Sequence, residues 1–122
     1  MTKTAHTLER SKWKQLLDRL AVDHRGEGAT IELLSNDFGD EIEAERVPLA
    51  YFEYDPKDDI FVVGVGGSDG RYPVVLRHIV EHPKAITVDT VGPDVPLALE
   101  VIGGDDDRTV ISVYREGDGG SA

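Results

Sequence analysis

The sequence predicts an α+β fold: one N-terminal helix packed on a twisted, mostly antiparallel sheet, or a partly closed barrel, of about six strands. Three observations point there. Trp13, Leu16, Leu17 and Leu20 fall at i, i+3, i+4 and i+7, the spacing that gathers apolar side chains on one face of a helix. From Thr30 onwards the apolar period drops from that of a helix to that of a strand. Between the strand-like runs lie clusters of Gly, Pro and Asp, the residues that tight turns select.

Taken in order, Thr7 and Ser11 are the candidate helix caps, and Glu9 suits the positive end of the first turn. Lys12, Lys14, Gln15, Asp18 and Arg19 take the solvated side. Trp13 shares its face with three leucines, so it reads as a core anchor rather than a stacking platform for a ligand. The helix fades at Asp23-His24-Arg25, with Gly26 as the stop signal. Ala29, Ile31 and Leu33 then alternate with Thr30 and Glu32 as a half-buried strand. Asn36 to Asp40 is a turn, and Glu41 to Val47 alternates again with its acids towards water. Pro48 has no N–H to donate, so the strand is bulged or lies on an edge there.

The stretch from Pro48 to Gly67 carries the strongest strand signal. Two runs rich in aromatic and β-branched residues flank Asp55-Pro-Lys-Asp-Asp59, which reads as a hairpin at the centre of the sheet. Ala50, Phe52 and Tyr54 share one face, while Ile60 to Val65 is apolar on both, as in a central strand. Gly66 to Gly70 is a further turn. Val74–Val80 and Ala85–Asp89 are strands separated by His82-Pro83. Leu97–Ile102 and Arg108–Tyr114 pair across Gly103-Gly-Asp-Asp-Asp107 as a final hairpin. Residues 1–6 and 116–122 are expected to be disordered, leaving 7–115 as a single domain.

Composition narrows the function classes. The chain has 122 residues, 39% of them hydrophobic, which is enough for one core without staples. With no cysteine, thiol catalysis, thiolate zinc sites and disulfides are all excluded. No secretory leader pattern is present, and no apolar run approaches the roughly 20 residues that span a bilayer. The expectation is a soluble, cytoplasmic protein with no membrane partner. A net charge of −11, from 24 acidic and 13 basic residues, repels phosphate backbones and disfavours nucleic acid. Gly64-Val-Gly-Gly67 lacks the third glycine of a dinucleotide loop and the Lys-Ser/Thr of a phosphate loop, so no cofactor is expected. No serine sits in a nucleophile-elbow context.

The sharpest candidate for chemistry is Arg77-His78-Ile79-Val80-Glu81-His82-Pro83. Histidines four apart on a helix lie about 6 Å apart along the axis and can share a zinc ion. This run is β-branched, however, and Pro83 pushes His82 towards an extended backbone. On a strand the same spacing is about 13 Å, too far for both rings to hold one ion. The acidic groups Asp55-Pro-Lys-Asp-Asp59 and Asp105-Asp-Asp107 lack the EF-hand spacing and read as solvated turns. No catalytic residue and no metal ligand is assigned. Arg77, His78, His82, Asp55 and Asp89 remain as candidate binding residues.

With those residues laid out, the chain resembles the bacterial family catalogued as domain of unknown function 5335 (DUF5335). The resemblance runs from about Leu8 to Tyr114. It rests on Trp13 with Leu16-Leu17, on Ile31-Glu32, and on Pro48-Leu49 leading to Phe52-Glu53-Tyr54-Asp55-Pro56. It continues through His78-Ile79, His82-Pro83 with Ile86 and Val88, and Arg108-Thr109-Val110. Where the family pattern places Gly after Pro-Leu-x, this chain has Tyr51. The resemblance implies a small bacterial domain and brings no activity with it. The reading is therefore a non-catalytic binding or protein-interaction module, recognising a protein or a small ligand by a sheet face or edge. The alternative is a metal-dependent protein or enzyme using His78, His82 and carboxylates such as Asp55 or Asp89. A homo-oligomer joined along an edge strand, the one interrupted by Pro48, is a third expectation.

Overall fold

The computed structural model describes residues 4–35, 37, 39–67, 76–90 and 97–114. The expected turn residues 68–70, the strand start at 74–75 and the expected tail at 116–122 lie outside them. Strand β1 (Thr4–Thr7) is followed by a 3₁₀ turn (Arg10–Lys12) and helix α1 (Trp13–His24). Seven more strands complete the chain: β2 (Gly28–Ser35), β3 (Gly39–Asp55), β4 (Ile60–Val65), β5 (Leu76–Glu81), β6 (Ala85–Thr90), β7 (Leu97–Ile102) and β8 (Arg108–Tyr114). They form one antiparallel sheet in the order β1-β6-β7-β8-β2-β3-β4-β5.

The α+β class stands, with one helix on a large antiparallel sheet. The expected strand number does not, and of the two expected forms the open sheet holds and the barrel does not. The sheet has eight strands rather than about six, and it is not closed into a barrel. The additional strand is β1, which falls in the segment expected to be disordered. Thr4-Ala-His-Thr7 has no apolar alternation to announce it, and it forms by pairing with β6 from Thr4↔Thr90 to Thr7↔Thr87. Leu8 N extends that ladder with a bond to Ile86 O at 2.8 Å.

α1 begins at Trp13 with Lys12 at its N-cap, and no side chain caps it. The proposed Thr7 and Ser11 caps are thus corrected: the 3₁₀ turn, closed by Lys12 N donating to Glu9 O at 2.9 Å, leads into the helix instead. At the other end Gly26 adopts φ +91°, the left-handed conformation that a glycine stop supplies. Trp13 is 1% exposed and Leu17 fully buried, so the apolar stripe faces the core, chiefly against β3. The Trp13 ring meets Tyr54 edge-on at 5.1 Å, and its indole N–H donates to Leu8 O at 3.2 Å.

β3 organises the sheet. Its first half, Gly39 to Pro48, pairs with β2, and its second half, Leu49 to Asp55, pairs with β4. Extra residues are accommodated on β3 opposite Ala29–Glu32 of β2 and again between Leu49 and Tyr51. Arg46 there has φ +51°. Bulges of this kind bend a strand and steepen its twist, letting it pass from one sheet region to the next. The Pro48 strand is therefore bulged but interior; the edge expectation fails, and the free edges are β1 and β5. The β3–β4 hairpin exists across Pro56–Asp59, yet it sits next to the β5 edge rather than at the sheet's centre. Tyr51 lays its ring over Gly64, where a Cβ would approach to 2.7 Å. The core, lined by Ile31, Leu49, Phe52, Phe61, Leu99 and Ile111, fills the inside of this curled sheet. Among the described residues no helix is long and apolar enough to cross a membrane.

Candidate functional site

Because the sheet curls, its last strand comes back to face the β7–β8 turn. Gly104 N donates to Glu81 O at 3.1 Å, and His78 Nε2 is hydrogen-bonded to Thr109 Oγ1 at 3.2 Å. These contacts join β5 to the turn without forming a ladder. Between them lies an open groove of about 700 Å³. His78, Ile79, Glu81 and His82 line one side and Asp107, Arg108 and Thr109 the other, with Leu33 and Val80 adding apolar surface.

β5 is pleated, as its β-branched composition predicts. Val80 points into the core and is buried; Arg77, Ile79 and Glu81 point outwards and are exposed. His78, on the inward face, is half-buried. That burial pushes its pKa below the usual histidine value, and the Glu43 carboxylate partly opposes the shift. His82 departs from the extended backbone expected before Pro83: its φ is +50°. It is held there by its own N–H donating to Asp59 O at 2.9 Å and by Nδ1 donating to Asp59 Oδ2 at 3.2 Å. Asp59 is left-handed too, at φ +54°. The two histidines share a groove, yet each ring is engaged elsewhere, one by Thr109 and one by Asp59.

The remaining sequence candidates are not brought together. Asp55 stabilises its own turn, its Oδ1 accepting from Lys57 N at 2.9 Å and Asp58 N at 3.4 Å. Asp89 lies on β6, opposite Ala5 of β1 and Ala98 of β7, with Oδ1 buried and unpartnered. The metal-dependent arrangement of His78, His82, Asp55 and Asp89 is therefore not assembled. Among the described residues no three His, Cys, Asp or Glu side chains are placed to hold one ion.

Sequence reasoning missed a polar cluster beside the groove. Tyr54 Oη donates to Asp59 Oδ1 at 2.6 Å. Arg10 Nη1 lies 3.3 Å from the same oxygen, and its Nη2 donates to Pro83 O at 2.8 Å. The Tyr54 hydroxyl and the His82 ring hold the Asp59 carboxyl below its usual range, with Arg10 contributing less. The hydrogen bond to Asp59 and burial push the Tyr54 phenol up. Asp59 is thus a settled anion and Tyr54 a settled neutral donor, which suits a structural clasp better than proton transfer. Linear spacing offers one hint: Arg10 and Trp13 are a turn apart, and the guanidinium sits 4.3 Å from the indole centroid. Nothing local connects Arg10 with Asp59.

The family of unknown function DUF5335 matches residues 4–119. The chain belongs to that family. An uncharacterised protein of Aquifex aeolicus (strain VF5) is 24% identical over 106 residues, covering 87% of this chain and 88% of that protein. No solved structure gives a significant match. DUF5335 membership thus spans the sheet, the helix and both sides of the groove, and it assigns no chemistry to them.

Proposed function

We propose that this DUF5335 domain is a non-catalytic binding module that receives a partner in the groove between β5 and the β7–β8 turn. The observation that carries the reading is that the sheet ends at β5 while a turn lies opposite it, leaving an open cavity of about 700 Å³. Ligand sites commonly have about 300–1,000 Å³ of such space. The engagement of the ionisable side chains beside the groove supports a binding role: among the described residues Asp59 is occupied by Tyr54, Arg10 and His82, and His78 by Thr109.

The test is a screen of peptide and small-molecule libraries against isotope-labelled full-length protein, read as amide chemical-shift changes. Hits should cluster at residues 78–84 and 104–109. Hits scattered over the surface, or none from either library, would remove the reading.

A further inference from the structure

We infer that the occupant of this groove is an extended, basic peptide segment of a partner protein, added to the sheet as a strand along β5. The inference rests on the binding-module reading and names its ligand.

The direction of the β5 backbone groups follows from register. His82 N donates to Asp59 O across the β4–β5 ladder, so residue 82 faces β4. In an antiparallel pair the hydrogen-bonding direction alternates. Val80, His78 and Leu76 therefore also face β4, whereas Arg77, Ile79 and Glu81 face away from it. The Gly104 N to Glu81 O bond agrees with that alternation. Glu81 O is thereby satisfied, which leaves the N–H and C=O of both Arg77 and Ile79, on the side of β5 away from β4, without a backbone partner among the described residues. Such a row of paired donors and acceptors is what a strand-adding peptide uses, with its alternate side chains supplying selectivity.

A second folded copy of this chain fits less well. Its own β4 would accompany its β5 into the seam and run against the Gly103–Asp107 turn. That turn already touches the strand, since a Cβ on Gly104 would lie 3.1 Å from the His82 Cβ. A single extended chain brings no such neighbour.

Charge selects the sign of the peptide. Two cations at the groove are ion-paired, Lys84 with Asp106 at 2.6 Å and Arg108 with Glu100 at 3.4 Å, while Arg77, exposed on β5, has no acidic partner among the described residues. Glu81 and Asp107 have no cationic partner among the described residues, and the chain carries −11 overall. A basic segment is drawn in by both, and Ile79, 48% exposed and on the same face as Glu81, offers contact to the aliphatic stems of its lysines.

The experiment uses the full-length chain and three capped peptides: an alternating Lys-Val sequence, its Glu-Val counterpart, and the Lys-Val sequence with a central Pro. The Lys-Val peptide should shift the Arg77 and Ile79 amides, slow their hydrogen exchange, and bind about tenfold more weakly as salt screens the rim. The Glu-Val and Pro-containing peptides should bind at least about tenfold more weakly than the Lys-Val one. Equal binding of the acidic peptide overturns the charge assignment, and undiminished binding of the Pro peptide overturns strand addition. Concentration-dependent dimerisation that protects the same two amides without peptide overturns the choice of occupant. Groove-directed library hits that are neither basic nor extended would defeat this inference while leaving the binding-module reading in place.

Discussion

The β3–β4–β5 end of the sheet is met from two sides, and the two contacts are built differently. On one side α1 seats Trp13 and Leu17 into the curl, both buried, with Tyr54 edge-on to the indole. On the other, the β7–β8 turn and the start of β8 reach β5 through one backbone hydrogen bond, Gly104–Glu81, and one side-chain pair, His78–Thr109. The first contact is apolar and closed. The second is polar and leaves ladder groups open. If the groove binds as proposed, stability and recognition fall on separate edges of the same hairpins, and substitutions should separate them.

The largest effect is expected on the closed side. Trp13→Ala removes a fully enclosed ring, its edge contact with Tyr54 and its bond to Leu8 O. A buried Trp→Ala change costs about 3–5 kcal/mol. Denaturant unfolding should therefore show a large loss of stability. By contrast, Ile79→Lys on the open side should change stability by less than about 0.5 kcal/mol, as surface substitutions do, while weakening peptide binding. A comparable loss at both positions would erase the distinction drawn between the two contacts.

A middle-sized effect should appear where the turn meets the strand. Gly104→Ala places a Cβ 3.1 Å from the His82 Cβ and 3.2 Å from its carbonyl oxygen. His82 cannot retreat easily, because its left-handed backbone is tied to Asp59 at two points. The turn must move instead, lengthening the Gly104–Glu81 bond. Overpacking of this kind costs about 1–3 kcal/mol, and the exposed position of the turn argues for the lower figure. Hydrogen exchange at Gly104 should accelerate while Trp13 fluorescence stays native-like. An unfolded protein would mean that the seam, too, carries the fold.

The same contrast explains what was legible beforehand. α1, the β7 and β8 bounds and the Gly103–Asp107 turn follow from short-range periodicity and turn chemistry, and Trp13 as a core anchor follows from its leucine neighbours. The open seam does not. It depends on how far β3 bends, and that bend is summed over several bulges around Arg46 and Ala50, which alternation alone does not locate. β1 was hidden because its stability comes from an available β6 edge rather than from its own polar residues. Of the candidate residues, His78, His82 and Arg77 belong to β5 and its end, so local pattern found that side of the groove. Asp107 and Gly104 arrive from the β7–β8 turn, Thr109 from β8, and Arg10 reaches Asp59 across the fold. Those partners are fixed by the curl, and no spacing in the chain encodes them directly.

The smallest effect should be a pH dependence confined to the open side. His78 is half-buried against Thr109, and desolvation lowers its pKa in the folded protein relative to the unfolded value of 6.5. The unfolded chain therefore takes up this proton first as the solution is acidified. Its contribution to folding is complete above pH 6.5, declines as the pH falls below that value, and levels off once the folded form is protonated as well. Asp59 acts in a lower window. Its depressed carboxyl contributes above the ordinary value of 3.8 and loses that contribution as the pH falls through the folded value. His78→Gln retains a hydrogen-bonding side chain towards Thr109 and removes only the upper window. The variant should lose stability less steeply than the parent from pH 6.5 downwards, with the acid limb of Asp59 unchanged. Identical slopes in the two proteins would show that the His78 environment is as solvated as the unfolded chain, and the seam would then have to be wetter than its Thr109 contact implies.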